Sequence, residues 1–108
     1  MNANEYQKNT INTAIYPGSG TGDNRELVYL ALGLASESGE VAGKIKKLIR
    51  DGLFEPMQVA HELGDVLWYI ARLGSSLGYD LETLMKWNYQ KLNARKDKGT
   101  IKGFGDVR

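Results

Sequence analysis

The sequence predicts an all-α protein: one domain, residues 1–108, of four helices packed antiparallel as a bundle and assembled through a helical dimer interface. Three observations predict this. Apolar residues recur at spacings of three, four and seven through most of the chain, the period of an amphipathic helix. No segment shows the alternation of a half-buried strand. Short clusters of glycine, proline and aspartate break the pattern into helix-sized pieces.

Residues 3–14, with Tyr6, Ile11 and Ala14, read as a short first helix. Pro17, Gly18, Gly20 and Gly22 make a loop of 17–24, and Asn24 is the expected N-cap of the second helix. From Arg25 to about Arg50, Leu27, Leu30, Leu34, Val41, Ile45 and Leu48 trace one long stripe, closed by Asp51-Gly52. Gly33, Gly39 and Gly43 cost that helix about 1 kcal/mol each relative to alanine, so a close neighbour is expected there. Pro56 suits a first helical turn, and Val59, Leu63, Val66, Leu67, Ile70, Leu73 and Leu77 carry the third helix to Gly78. Asp80 is a good N-cap for a last helix through Leu81, Leu84, Met85, Asn88 and Leu92, fading near Lys98. The tail from about 98 to 108 is glycine-rich and basic, and reads as irregular.

Composition narrows the function. The chain has 108 residues, 42% hydrophobic and 25% charged, enough for one core and no second domain. A net charge of +1 gives no overall field for nucleic acid or membrane, and neither is expected as a partner. The absence of cysteine removes disulfides, thiolate metal sites and thiol nucleophiles. With no apolar run of membrane length and no signal-peptide core, the expected location is cytoplasmic. A long amphipathic helix and two tryptophans carry more apolar surface than one small bundle hides, so at least a homodimer is expected.

Two acidic phrases carry the chemistry: Glu37-Ser38-Gly39-Glu40 and Glu62-Leu63-Gly64-Asp65. Each puts two carboxylates three residues apart, on one side of a helix. At about 100° per residue, Leu30 and Leu48 lie roughly 20° from Glu37, and Glu40 about 60° to the other side. Glu62 and Asp65 stand in nearly the same relation to Leu73 and Val66. Both pairs therefore border the core-facing stripe, and an antiparallel packing brings four carboxylates along one edge. A hard, oxygen-ligated divalent cation is the simplest answer to their repulsion. Tyr69 shares the acidic face, and Asn88, Lys91 and Arg95 line one face of the last helix, suited to phosphate oxygens.

The blander readings are specific too. A lone E-x-x-E is usually a solvated face, and a Lys-Arg pair is usually surface. His61 stands alone and reads as structural, and the absence of a Glu-x-x-His pair argues against a ferritin-like di-iron centre. Trp68 and Trp87 read as core or subunit interface. The glycines at 18, 20 and 22 lack the GK[ST] of a phosphate loop. A non-enzymatic helical module, with the acids in salt bridges across a dimer, is the alternative to an enzyme.

The order Glu37-x-x-Glu40, Glu62-x-x-Asp65 through Val66 to Tyr69, and Asn88-x-x-Lys91-x-x-x-Arg95 resembles the MazG-type all-α nucleoside triphosphate pyrophosphohydrolases. Glu5-Tyr6-Gln7 followed by Thr13, Tyr16 and Pro17 is similar to the short single-domain members, including those of phages. The resemblance runs from about residue 5 to 100. It extends the expected homodimer to a homotetramer. It implies Mg²⁺, with Mn²⁺ as a substitute, held at Glu37, Glu40, Glu62 and Asp65. It implies cleavage of a (deoxy)nucleoside triphosphate to monophosphate and pyrophosphate, with Glu37 or Glu40 holding the attacking water. Lys91 and Arg95 match phosphate-binding positions, and Asn88 and Tyr69 positions near the substrate. Phosphoribosyl-ATP pyrophosphohydrolases, alarmone hydrolases and dimeric dUTPases remain open on the same metal site. Base and sugar preference are not legible.

Overall fold

The computed structural model describes residues 1–107. It is helical throughout, with no strand among the described residues: α1 (Ala3–Asn9), a 3-10 turn (Thr10–Thr13), α2 (Asn24–Asp51), α3 (Pro56–Leu77) and α4 (Leu81–Lys98). The four expected helices are present, and the described chain is all-α as the sequence predicts. Local chemistry sets their limits. The Asn2 side chain accepts from the Glu5 amide at 2.9 Å and starts α1. The expected helix over 3–14 tightens after Asn9, where the Thr10 and Thr13 hydroxyls donate back to the Gln7 and Thr10 carbonyls. Such back-bonding competes with the α-helical ladder.

Asp23, not Asn24, caps α2. Its extended backbone lets the carboxylate accept from the Glu26 amide at 3.0 Å, and a charged acceptor answers the positive helix end better than an amide. Asn24 becomes the first helical residue. Pro56 opens α3, Asp80 caps α4 by accepting from the Thr83 amide at 2.8 Å, and Gly52, Gly78 and Gly99 close the three long helices.

α2 and α3, joined by four residues, form an antiparallel hairpin that makes up most of the tertiary contact. Ala14 and Tyr16, from the segment after the 3-10 turn, pack with Leu30 of α2, and Trp68, Tyr69 and Leu73 of α3 close around them. Gln7 fastens α1 to the α3–α4 corner. Its amide donates to the Ala71 and Tyr79 carbonyls at 3.1 and 3.0 Å, and its oxygen accepts from the Leu81 amide at 2.7 Å. Among the described residues α4 leans on α1 and α3 and not on α2, so the two ends of the hairpin have different neighbours.

Candidate active site

The hairpin brings the acids of its two helices to one edge. One carboxylate oxygen from each of Glu37, Glu62 and Asp65 lies within 4.8 Å of the other two. Glu37 and Glu62 are half-buried and Asp65 is exposed. Burial first, then the charges of Asp65, Glu62 and Glu40, push the Glu37 carboxyl up from its usual range, and a hydrogen bond with the Glu62 carboxylate favours its protonated form further. A cation reverses that logic. Ligand oxygens around a hard divalent ion lie about 3–5 Å apart, so a trio within 4.8 Å has the reach to share one. Glu40 stands outside the trio and is exposed. Three residues turn it about 60° off the α3-facing edge. The Lys44 ammonium, one turn beyond Glu40 on α2, donates to the Gln58 side chain at 3.3 Å.

Beside the trio is a cavity of about 410 Å³, lined by Thr13, Glu37, Asp65, Trp68 and Tyr69. The Tyr69 ring lies directly over Gly33 of α2, where a Cβ would collide with it. Gly33 is thus the close approach its helix position demanded, whereas Gly39 and Gly43 face open space. Burial, the neighbouring Tyr29 and the charges of Glu37 and Asp65 raise the Tyr69 phenol, which stays neutral beside the acids. The Trp68 indole N–H donates to Thr13 Oγ1 at 2.8 Å. The indole stands edge-on to Tyr69, with centroids 4.9 Å apart, and edge-on to Tyr16, which stacks on Tyr29.

The residues of α4 lie elsewhere. None of Asn88, Lys91 and Arg95 lines the acidic cavity. Asn88 borders an apolar hollow of about 640 Å³ with Tyr6, Leu67, Ile70, Leu84 and Met85. Lys91 and Arg95 engage the C-terminal tail instead. Asp106 Oδ1 accepts from Lys91 Nζ at 3.2 Å and from the Arg95 guanidinium at 3.3 Å, and the Gly105 and Asp106 carbonyls accept from Arg95 as well. Lys91 first, then Arg95, hold the Asp106 carboxyl below its usual range. Arg95 is almost wholly buried beneath this contact. His61 is exposed in a separate shallow hollow with Met57, Ala60, Gly64 and Asp65.

The family model for the MazG nucleotide pyrophosphohydrolase domain matches residues 26–100. The chain belongs to the MazG family. The matched span contains all four acids, Tyr69, Asn88, Lys91 and Arg95, and leaves out Thr13 and Asp106. This MazG protein is also similar to the Gene 37 protein of Mycobacterium phage L5, at 44% identity over 114 residues covering 100% of both chains. No solved structure matches it. Family membership makes it a nucleotide pyrophosphohydrolase by class, and a divalent metal is the family's usual requirement. No described helix is long and apolar enough to cross a membrane.

Sequence reasoning passed over Thr13 and Trp68 as cavity residues. Thr13 sits in a turn with no periodicity to place it, and Trp68 is one residue from Tyr69, about 100° around α3. The one signal for it was the N-terminal phrase that joins Thr13 to Tyr16 and Pro17.

Proposed function

We propose that this MazG protein hydrolyses (deoxy)nucleoside triphosphates to the monophosphate and pyrophosphate, in the cytoplasm and as a homodimer or homotetramer. The observation that carries this reading is the meeting of Glu37, Glu62 and Asp65 at the mouth of a cavity walled by Tyr69. Glu37, Glu62 and Asp65, with Glu40 one turn along α2, are the residues that would hold Mg²⁺, or Mn²⁺ in its place. When bound, the ion supplies charge neutralisation for the pyrophosphate leaving group and polarises the α-phosphorus.

The protein's own groups do the rest. Glu37, or Glu40 beside it, holds a water and takes its proton as the oxygen attacks the α-phosphorus in line. The new P–O bond forms as the bond to the bridging α–β oxygen breaks, and pyrophosphate leaves. Tyr69 contacts the nucleoside. Asn88, Lys91 and Arg95 do not line this cavity within one chain, so they would reach the substrate across the subunit assembly, Lys91 and Arg95 taking the β and γ oxygens once Asp106 has given them up.

The test is a screen of the eight common (d)NTPs for pyrophosphate release with Mg²⁺. Asp65→Asn is expected to lower kcat/KM by about a hundredfold or more. Glu40→Gln, outside the trio, is expected to lower it less. Full pyrophosphate release by both variants would remove the acids from the reaction. A melting temperature that ignores Mg²⁺ and Mn²⁺ would favour a non-enzymatic helical module instead.

A further inference from the structure

The acidic cavity has a second wall that the hydrolytic chemistry leaves unused. Trp68 is half-buried: part of it packs on Tyr16 in the core, and part faces the cavity between Thr13 and Tyr69. Its N–H is not left to solvent but is taken by Thr13 Oγ1 at 2.8 Å. Thr13 is itself fixed, because the same hydroxyl donates to the Thr10 carbonyl at 3.1 Å. A residue of the 3-10 turn, outside the catalytic hairpin, therefore sets the rotation of an indole that belongs to it.

The exposed half of this bond has little to do with stability. Water would satisfy a half-exposed indole N–H nearly as well, so the bond chiefly chooses one orientation for the ring. That orientation matters for whatever lies beside the acids. A triphosphate whose phosphates sit at Glu37 and Asp65 must extend its sugar and base along the cavity, and the remaining lining is Thr13, Trp68 and Tyr69. Every nucleobase has a π-face, and aromatic side chains hold bases by stacking on it with little regard to sequence. An indole already held in place surrenders less rotamer freedom on binding.

We propose that the Thr13–Trp68 hydrogen bond fixes the indole as the docking wall for the substrate's nucleobase, which makes Thr13 a positioning residue for nucleoside recognition. This rests on the pyrophosphohydrolase reading for the nature of the ligand, and on the cavity geometry for its place.

Trp87→Phe leaves Trp68 as the single indole, since the chain has two tryptophans and Trp87 is half-exposed against Tyr79, away from the cavity. In that background, titration with nucleosides, which carry no phosphate for the metal-free acids to repel, is expected to change the Trp68 fluorescence saturably. Thr13→Val, which keeps the shape and loses the hydroxyl, should weaken that binding about 3- to 10-fold, the scale of one hydrogen bond. In the metal-loaded enzyme it should raise KM more than it lowers kcat, and Thr13→Ser should restore both readings. If Thr13→Val does not fold, Trp68→Phe keeps an aromatic ring without the N–H and is expected to raise KM in the same way. An indole silent to every nucleoside, or a Thr13→Val or Trp68→Phe enzyme with unaltered affinity and KM, overturns the proposal. Saturable binding at Trp68 in a protein that releases no pyrophosphate overturns the hydrolytic reading alone. Hydrolysis with a silent Trp68 overturns this inference alone.

Discussion

Glu26 and Glu37 lie three turns apart on α2, and the protein pushes their carboxyls in opposite directions. Burial alone would raise Glu26, but hydrogen bonds from Tyr16 Oη at 2.7 Å, the Gly20 and Gly22 amides at 2.7 and 2.9 Å and Ser76 Oγ at 3.0 Å outweigh it. They hold the group at about 2, below its ordinary 4.5. A carboxylate held lower in the folded state adds stability above the unfolded value, and that stability fades as pH falls from 4.5 toward 2. Glu26→Gln is therefore expected to cost about 2 kcal/mol at pH 7, and the gap to wild type should close in chemical melts as pH drops toward 2. Glu37 was legible in the sequence because helical spacing paired it with Glu40 and set both against the stripe. Glu26 was not, since its partners come from a glycine loop, a tyrosine ten residues back and the end of α3. No periodic offset links them.

α2 holds two glycines whose replacement should have opposite signs. At Gly33 an alanine methyl would overlap the Tyr69 ring, whereas at Gly39 it would meet nothing within 4 Å. Gly39→Ala is expected to stabilise by up to about 1 kcal/mol through helix propensity. Gly33→Ala should lower the melting temperature and turn Tyr69 from its place beside Glu37 and Asp65, visible as a changed near-UV signal. The element limits were readable where a single cap decides them, as at Gly52, Pro56 and Asp80. They were misread where two neighbours compete for the cap, as at Asp23 and Asn24, or where threonine hydroxyls tighten a turn, as after Asn9. Angular reasoning about the helix faces anticipated the meeting of Glu37, Glu62 and Asp65. It also set Glu40 on that edge, whereas the structure leaves Glu40 exposed and outside the trio.

The radius of gyration is 16.4 Å, against about 13 Å for a compact chain of this length. Apolar side chains stay open to match: Leu32, Ile49, Met57, Leu63, Leu67 and Met85 are all well exposed. With α4 leaning away from α2, one chain does not close its own bundle. The expected outcome is self-association, measured by light scattering as a mass at or above twice 12.0 kDa, and a monomer at micromolar concentration would contradict it. That four helices form was written in the periodicity. How far they would spread was not, because periodicity marks a face as apolar without saying which surface covers it. The tail adds one more consequence at this scale. Lys91 and Arg95 are already spoken for by Asp106, so any polyanion using both must arrive by exchange, evicting a resident carboxylate. Its measured affinity would be the intrinsic one scaled down by the fraction of molecules whose tail has swung clear, a toll levied by the chain on its own ligand.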